Sequence, residues 1–338
     1  MVKRINLALQ GGGAHGAFTW GVLDRLLEDD EIEVAAISGT SAGALNGAAF
    51  KSGWLEDGRS GARARLDWLW ARMGAVQDMR MPGWMSGMMP HPGLVNDALE
   101  TVWPVTMADA MTRVMSPYAY GPFYANPLRR VVEGFAYDKV CAHANPQLFI
   151  GVTNVHSGKI RVFTGDDIST DVLLASACLP TLFQAVEIDG AHYWDGGYTG
   201  NPALFPLFAP DLPADIVIVN INPLERSEVP RSPQEIQNRI NEISFNSSLL
   251  RELRAIDFVQ RLLDSGKITE GAMKRVHVHM IADDTLMREL SVATKMVATP
   301  YILGKLKAAG RAAADDFLSA HKADLNLRST TDMERTVN

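Results

Sequence analysis

Two cysteines, Cys141 and Cys178, are all that 338 residues contain. That excludes a disulfide framework and a four-thiolate zinc site, and both read as buried free thiols. A basic excess is also missing: a formal net charge of −7 argues against a general nucleic-acid binder. No apolar run reaches the length of a membrane-spanning helix. The apolar start, Ile5 to Leu9, is too short for a secretory signal and flows directly into core-like sequence. The expectation is a cytoplasmic protein, with peripheral membrane contact through a local apolar surface left open. His91, His143, His156 and His192 are scattered without H-x-x-x-H or H-E-x-x-H spacing, and no D-x-D-x-D-G loop occurs. Neither a metal nor another cofactor is called for. Repeats and low-complexity linkers are absent too.

What is present is ample core material, 47% hydrophobic against 21% charged residues, which rules out a disordered chain. Ile5–Gln10 reads as a buried strand, Ala14–Glu28 as an amphipathic helix, Glu33–Ser38 as a second strand and Ala42–Lys51 as a small-residue helix. Two strand–turn–helix units in succession imply a parallel, right-handed βαβ start. Further strands are expected at Gln147–Val155, Lys159–Thr164, Ile216–Ile221 and Arg275–Ile281, and helices at Asp171–Cys178, Ser232–Leu263 and Tyr301–His321. The fold class is α/β, a three-layer α/β/α arrangement with a mainly parallel central sheet. One domain is expected over residues 4–325, with a flexible polar tail at 326–338. Within it, residues from about 54 to 125 carry nine of the 15 methionines, with Trp54, Trp68, Trp70, Trp84 and Trp103. They read as a helical insertion that either packs a small core of its own or forms an apolar lid. An exposed apolar lid would also admit a homodimer.

The first chemical motif is Gly11-Gly-Gly-Ala-His-Gly16, between a strand and a helix. Glycines let the backbone approach a ligand closely, and amides at a helix N-terminus favour negative charge. The same spacing satisfies G-x-G-x-x-G, but a dinucleotide fold needs a carboxylate ending the second strand. Here that strand ends in Ser38-Gly39-Thr40, with Glu31 and Glu33 before it.

The second motif, Gly39-Thr-Ser41-Ala-Gly43, is a G-x-S-x-G between strand and helix, the setting in which a sharp turn lifts a serine hydroxyl above a sheet edge. Ser41 as a mere helix N-cap would leave Gly39, Gly43 and the Gly11–Gly16 loop unexplained. Parallel neighbouring strands put both loops on one edge, where Ser41 can attack an ester carbonyl. Amides of Gly12, Gly13 or Ala14 would then receive the oxyanion. A serine needs a base. The strongest candidate is Asp195 in Tyr193-Trp-Asp-Gly-Gly-Tyr198, a short aromatic strand that delivers a carboxylate onto the Gly196-Gly197 turn. Chain order also admits a Ser–Asp–His triad completed by His277, His279 or His321. However, the first two alternate inside a strand pattern and the third sits near a helix end.

Taken in order and in context, LALQGGGAHGAF, ISGTSAG and ASACLPTLFQAVEIDGAHYWDGGYTGNPAL closely resemble the patatin-like phospholipase family across most of residues 5 to 205. The resemblance implies a Ser–Asp dyad without an essential histidine, with Ser41 as nucleophile and Asp195 as base. It implies an oxyanion loop over Gly11–Gly16, drawing on Gly11, Gly12, Gly13 and Ala14, with Gly16, Gly39, Gly43 and Gly196 supporting the motifs. The activity implied is hydrolysis of phospholipid or other acyl-lipid esters. The family often carries Arg or Lys where His15 stands, and a neutral histidine there would not hold an anionic head group. A lipid-binding protein of the same fold that has lost catalysis is the non-enzyme alternative, and retention of Ser41, Asp195 and the glycines together argues against it.

Overall fold

The computed structural model describes residues 2–78, 116–226, 228–269, 271–290, 294–295 and 298–337. Trp84, Trp103 and every methionine of the Met-rich stretch except Met73 lie outside the described residues. So does most of the segment read as an insertion.

The architecture is three-layered. β1 (Lys3–Leu9), α1 (Gly16–Leu26), β2 (Ile32–Gly39) and α2 (Ala42–Asp78) follow one another as two strand–helix units, and β1 and β2 pair in parallel. β3 (Gln147–Asn154), β4 (Ile160–Thr164), α3 (Thr170–Ser176), β5 (Val186–Ile188) and β6 (Ala191–Asp195) come next. They are followed by β7 (Asp215–Asn220), α4 (Pro233–Asp264), β8 (His277–Ala282), α5 (Pro300–His321) and α6 (Met333–Val337). The sheet runs β5-β6-β3-β2-β1-β7-β8, with β4 also paired to β3. β1, β2, β3, β7 and β8 are parallel, while β4 and β6 run antiparallel to β3. β1, β2 and β7 are buried on both faces, as strands covered by helices on either side must be. Leu7, Leu9 and Ile37 pack toward α1, α2 and α5, while Ala8, Ala36, Ile216 and Ile218 pack toward Leu249, Leu253 and Ile256 of α4.

Register at β3 fixes where the loops meet. Residues Phe149 to Thr153 pair with β4 on one edge. The other edge is shared: β2 occupies Gln147 to Ile150, ending with Gly39 opposite Ile150, and β6 occupies Val152 to Asn154, with Asp195 opposite Val152. Asp195 therefore stands just past the point at which β2 turns into Thr40-Ser41.

Two elements depart from the sequence expectation. The helix expected to stop near Lys51 continues to Asp78, interrupted at Asp57 and at Gly58 (φ 56°). Beyond the interruption Ala62, Leu66, Leu69 and Trp70 recur at helical spacing and are buried. Trp70 stacks on Trp20 and its indole N–H donates to Asn46 Oδ1 at 2.9 Å. Thus Trp70 belongs to the main core, and Trp54 and Trp68 pack against it.

The tail expected to be flexible instead covers the β8 edge. Leu325 is buried, and Asn326 donates from its backbone and side-chain amides to the Asp215 carboxylate at 2.7 and 3.0 Å. Ser329 Oγ accepts from Val278 N, and Thr330 N donates to Val278 O. Capping a sheet edge in this way satisfies backbone groups that would otherwise stand open.

Asp215 is the anchor. Burial alone would raise its pKa, but hydrogen bonds from His279 and Asn326 prevail and hold it below the usual carboxylate value. The stabilisation is therefore present above the unfolded pKa and is lost as pH falls through the lower folded one. Asp215→Ala should destabilise the fold by about 3 kcal/mol at pH 7, since it strands buried donors. Urea unfolding with an unchanged midpoint would show that the tail clasp contributes nothing.

Candidate active site

Ser41 stands on the turn from β2 into α2 with φ 55°, a left-handed conformation uncommon outside glycine. Its surroundings enforce it. Thr40 N donates to Leu9 O, Gly43 N donates to Thr40 O at 2.8 Å, and the Thr40 hydroxyl donates to Gly200 O at 2.7 Å. The turn is packed so tightly against the end of β1 that a Cβ on Gly43 would lie 2.1 Å from Leu9 O. The Gly11 backbone also passes close to the serine, because a Cβ there would fall 2.6 Å from Ser41 Cβ. Ser176, at the end of α3, braces the elbow from behind: its hydroxyl accepts from Ser41 N at 2.9 Å and donates to Gly151 O at 2.8 Å.

Asp195 closes β6. Its N–H donates to Cys178 O at 2.8 Å, and its carbonyl accepts from the Thr153 hydroxyl at 2.8 Å. The side chain is 1% exposed. Oδ1 accepts from Gly197 N at 2.8 Å, while Oδ2 is buried without a formed hydrogen bond among the described residues. Burial pushes the carboxyl pKa up to about 7, opposed by the Gly197 amide and by the Ser41 hydroxyl, which reaches the carboxylate. The hydroxyl is thus near the carboxylate without completing a well-aligned bond to Oδ2, a common state of such pairs without substrate. Two nearby groups share the apolar setting. Burial, reinforced by the Asp195 charge, pushes both the Cys178 thiol and the Tyr198 hydroxyl up to about 12.

The glycine loop is held by side chains that local sequence patterns did not single out. Gln10 Oε1 accepts from Ile221 N and Asn222 N, and Gln10 Nε2 donates to Asn201 O. Gly11 N donates to Asn201 Oδ1 at 2.7 Å, and Gly11 O accepts from Asn222 Nδ2 at 2.8 Å. The Gly11 amide, one of the four expected oxyanion donors, is therefore already committed. Among the described residues the amides of Gly12, Gly13 and Ala14 donate to no protein acceptor, and Gly13 opens the single 3₁₀ turn Gly13–His15 that leads into α1. Gly16, Gly39 and Gly196 serve close packing, against Ala42, Gly43 and Gly151 respectively.

His15 is buried. Its Nε2 contacts Thr294 Oγ1 at 2.8 Å, and among the described residues its Nδ1 has no hydrogen-bond partner. Burial, then the charges of Lys295 and Arg226, lower its pKa well below the usual imidazole value, so the ring is neutral at pH 7. The histidines of the alternative triad are engaged elsewhere. His279 is fixed between Asp215 (2.9 Å) and Thr330 (3.0 Å), and His277 lies on the same strand. β8 is three strands from β2, about 14 Å at ordinary strand spacing. His321, at the end of α5, faces Asp324.

The family profile described as Patatin-like phospholipase matches residues 7–208. No curated protein matches the sequence. Among solved structures, that of VipD from Legionella pneumophila aligns over 99% of this chain and 73% of its own, with 15% sequence identity and a TM-score of 0.43.

The raised Asp195 pKa makes the folded state the better proton binder, so stability is fullest below the unfolded value and declines as pH rises toward about 7. At pH 8 the fold carries the whole cost of a buried charge, which Asp195→Asn removes. That variant should be more stable than wild type by roughly 2–4 kcal/mol at pH 8, with the gain shrinking toward pH 4. Thermal melts that coincide at both pH values would refute this.

Proposed function

Because the chain belongs to the patatin-like phospholipase family, a family of lipid acyl-hydrolases, we propose that it cleaves acyl esters of lipids by way of Ser41, Asp195 and an acyl-enzyme. The observation that carries the reading is the pairing of a strained, nearly buried serine with a buried carboxylate of raised pKa. The Gly11 backbone passes against Ser41, and the amides that follow it, of Gly12, Gly13 and Ala14, donate to no acceptor among the described residues.

On this reading Ser41 Oγ attacks the ester carbonyl while Asp195 takes its proton. The carbonyl oxygen becomes an oxyanion against the amides of Gly12, Gly13 and Ala14, each donor contributing roughly 3 kcal/mol in the transition state. The intermediate then collapses: the carbon–oxygen bond to the alcohol breaks and Asp195 returns its proton to the departing oxygen. Asp195 next removes a proton from water, which attacks the acyl–Ser41 ester; the bond to Ser41 Oγ breaks, Asp195 passes its proton to that oxygen, and the fatty acid leaves with both residues restored. A carboxyl of ordinary pKa, near ~3.9, is a weak base at neutral pH. Burial is what suits Asp195 to the role.

The lipid is reached by peripheral contact in the cytoplasm. Among the described residues no helix is long and apolar enough to cross a membrane. Ile236, Ile240 and Ile243 are exposed along one side of α4, beside a groove to which Arg239, Arg251 and Arg254 contribute. The other side of α4 carries Phe245 against Gly197, and Asn246, which also lines the groove, bonds Gln10, so an apolar, arginine-rimmed face backs onto the catalytic loops. A homodimer through the same apolar face is part of the proposal.

Ser41→Ala and Asp195→Asn should each lower ester hydrolysis by about 10³-fold or more, and Ser41→Ala should abolish labelling by a fluorophosphonate probe. Since the base must be ionised, wild-type kcat/KM should climb through about pH 7. Activity already level from pH 5 upward would remove Asp195 from this role, and an unlabelled wild type would favour a binding protein. Separately, flotation with anionic vesicles should weaken at least several-fold in an Ile236→Ser/Ile240→Ser/Ile243→Ser variant that still hydrolyses a short soluble ester. Undiminished flotation would exclude this face.

A further inference from the structure

The glycine loop has a neighbour that motif reading passes over. Thr294 and Lys295 come from far along the chain and lie directly against it. Thr294 contacts His15, and the carbonyl oxygen of Lys295 sits where a Cβ on Gly13 would be only 2.4 Å away. The ammonium of Lys295 donates to Asn222 Oδ1 at 2.9 Å. From the same amide, Asn222 Nδ2 donates to Gly11 O at 2.8 Å and to Gln10 Oε1 at 3.1 Å. Gly11 C=O and Gly12 N–H belong to one planar peptide unit and point in opposite directions. A donor on that carbonyl therefore orients the Gly12 N–H and strengthens it, and a cation behind the donor extends the polarised chain. The ordered relay is Lys295 ammonium, Asn222 amide, Gly11 carbonyl, Gly12 N–H.

We propose that Lys295 is the positioning residue of the oxyanion loop, its ammonium acting through Asn222 to aim and polarise the Gly12 amide at the developing oxyanion. The proposal rests on the acyl-hydrolase reading. It also accounts for His15, whose imidazole cannot supply positive potential to the loop.

The charges around Lys295 fit a cation left to act on the loop. Glu242 of α4 faces it but is committed to Arg226 at 2.7 Å and to Arg239 at 3.3 Å, and Arg226 and neutral His15 are its other ionisable neighbours. Among the described residues no carboxylate forms an ion pair with Lys295. Burial, with Arg226 adding to it and Glu242 opposing, lowers its pKa to about 8. Deprotonation just above neutrality would break the relay at its source.

The test uses the full-length protein, a short soluble p-nitrophenyl ester and fluorophosphonate labelling of Ser41. Lys295→Gln should lower kcat about 10- to 100-fold with KM within about two-fold, a smaller loss than removal of a direct oxyanion donor. Lys295→Arg should recover most of the rate. Wild-type kcat should fall above about pH 8, and in Lys295→Arg that alkaline decline should vanish, because a guanidinium stays charged. An unchanged kcat in a folded Lys295→Gln, or an alkaline decline that persists in Lys295→Arg, overturns the assignment. Should Lys295→Gln fail to fold, the pH profile of Lys295→Arg decides alone. A wild type that is labelled and active while both variants match it refutes only the role of Lys295. A wild type that neither labels nor hydrolyses refutes the acyl-hydrolase reading, and this inference with it.

Discussion

β3 has one free edge for two strands. With β4 along its other side, β2 can pair only with residues Gln147 to Ile150 before it must turn away, and β6 takes the next stretch from Val152 to Asn154. The handover brings the end of a parallel strand and the end of an antiparallel strand face to face. Ser41 follows from the first and Asp195 from the second. Two side chains 154 positions apart in sequence thus meet because hydrogen-bond register leaves them no other place. The glycines of the loops serve that same handover, since β1, β2 and β6 all reach this point with main chain against main chain.

Such an arrangement is costly, and the bracing shows where the cost lies. A non-glycine residue held at positive φ and a carboxylate with an unfilled buried oxygen each oppose folding by about 1–3 kcal/mol. Around them several backbone groups are tied by side chains from other elements: Ser176 on Ser41 N, Thr40 on Gly200 O, Asn201 and Asn222 on Gly11, Thr153 on Asp195 O. None of these braces carries charge. They hold the loops without altering the ionisation of Asp195, so rigidity and base strength are set by different residues.

The two strand–turn–helix units, the glycine loop, the serine elbow and the parallel sheet were legible in the sequence because each is encoded locally, by apolar runs and by residues suited to unusual φ. Asp195 stood out as a candidate because its Gly-Gly turn and aromatic strand form a compact signature. What escaped was long-range or polar. α2 looked finished at Lys51 because Asp57-Gly58 reads as a stop, yet the apolar period resumes at Ala62. Residues 326–331 looked loose because periodicity registers apolar residues, whereas this segment docks by hydrogen bonds to Asp215 and Val278. Gly11 fitted the oxyanion pattern as well as Gly12 did. Only the Asn201 contact separates them, and nothing near Gly11 announces a partner 190 residues away.

Burial acts on the two ends of the site in opposite senses. It raises the carboxyl of Asp195 to about 7 and lowers the ammonium of Lys295 to about 8, since desolvation disfavours whichever form is charged. Both groups are most fully ionised together near neutral pH. On the proposed mechanism this is the protonation state required: a bare carboxylate to take the proton, and a cation behind the loop to steady the oxyanion. Further desolvation, such as an acyl chain sliding over the site, would strengthen Asp195 as a base and weaken Lys295 as a cation. The depth of the site is therefore bounded on both sides. A shallower pocket would leave Asp195 too weak a base, and a deeper one would discharge both groups. The neutral braces between them allow that depth to be tuned without disturbing the register that brings Ser41 and Asp195 together.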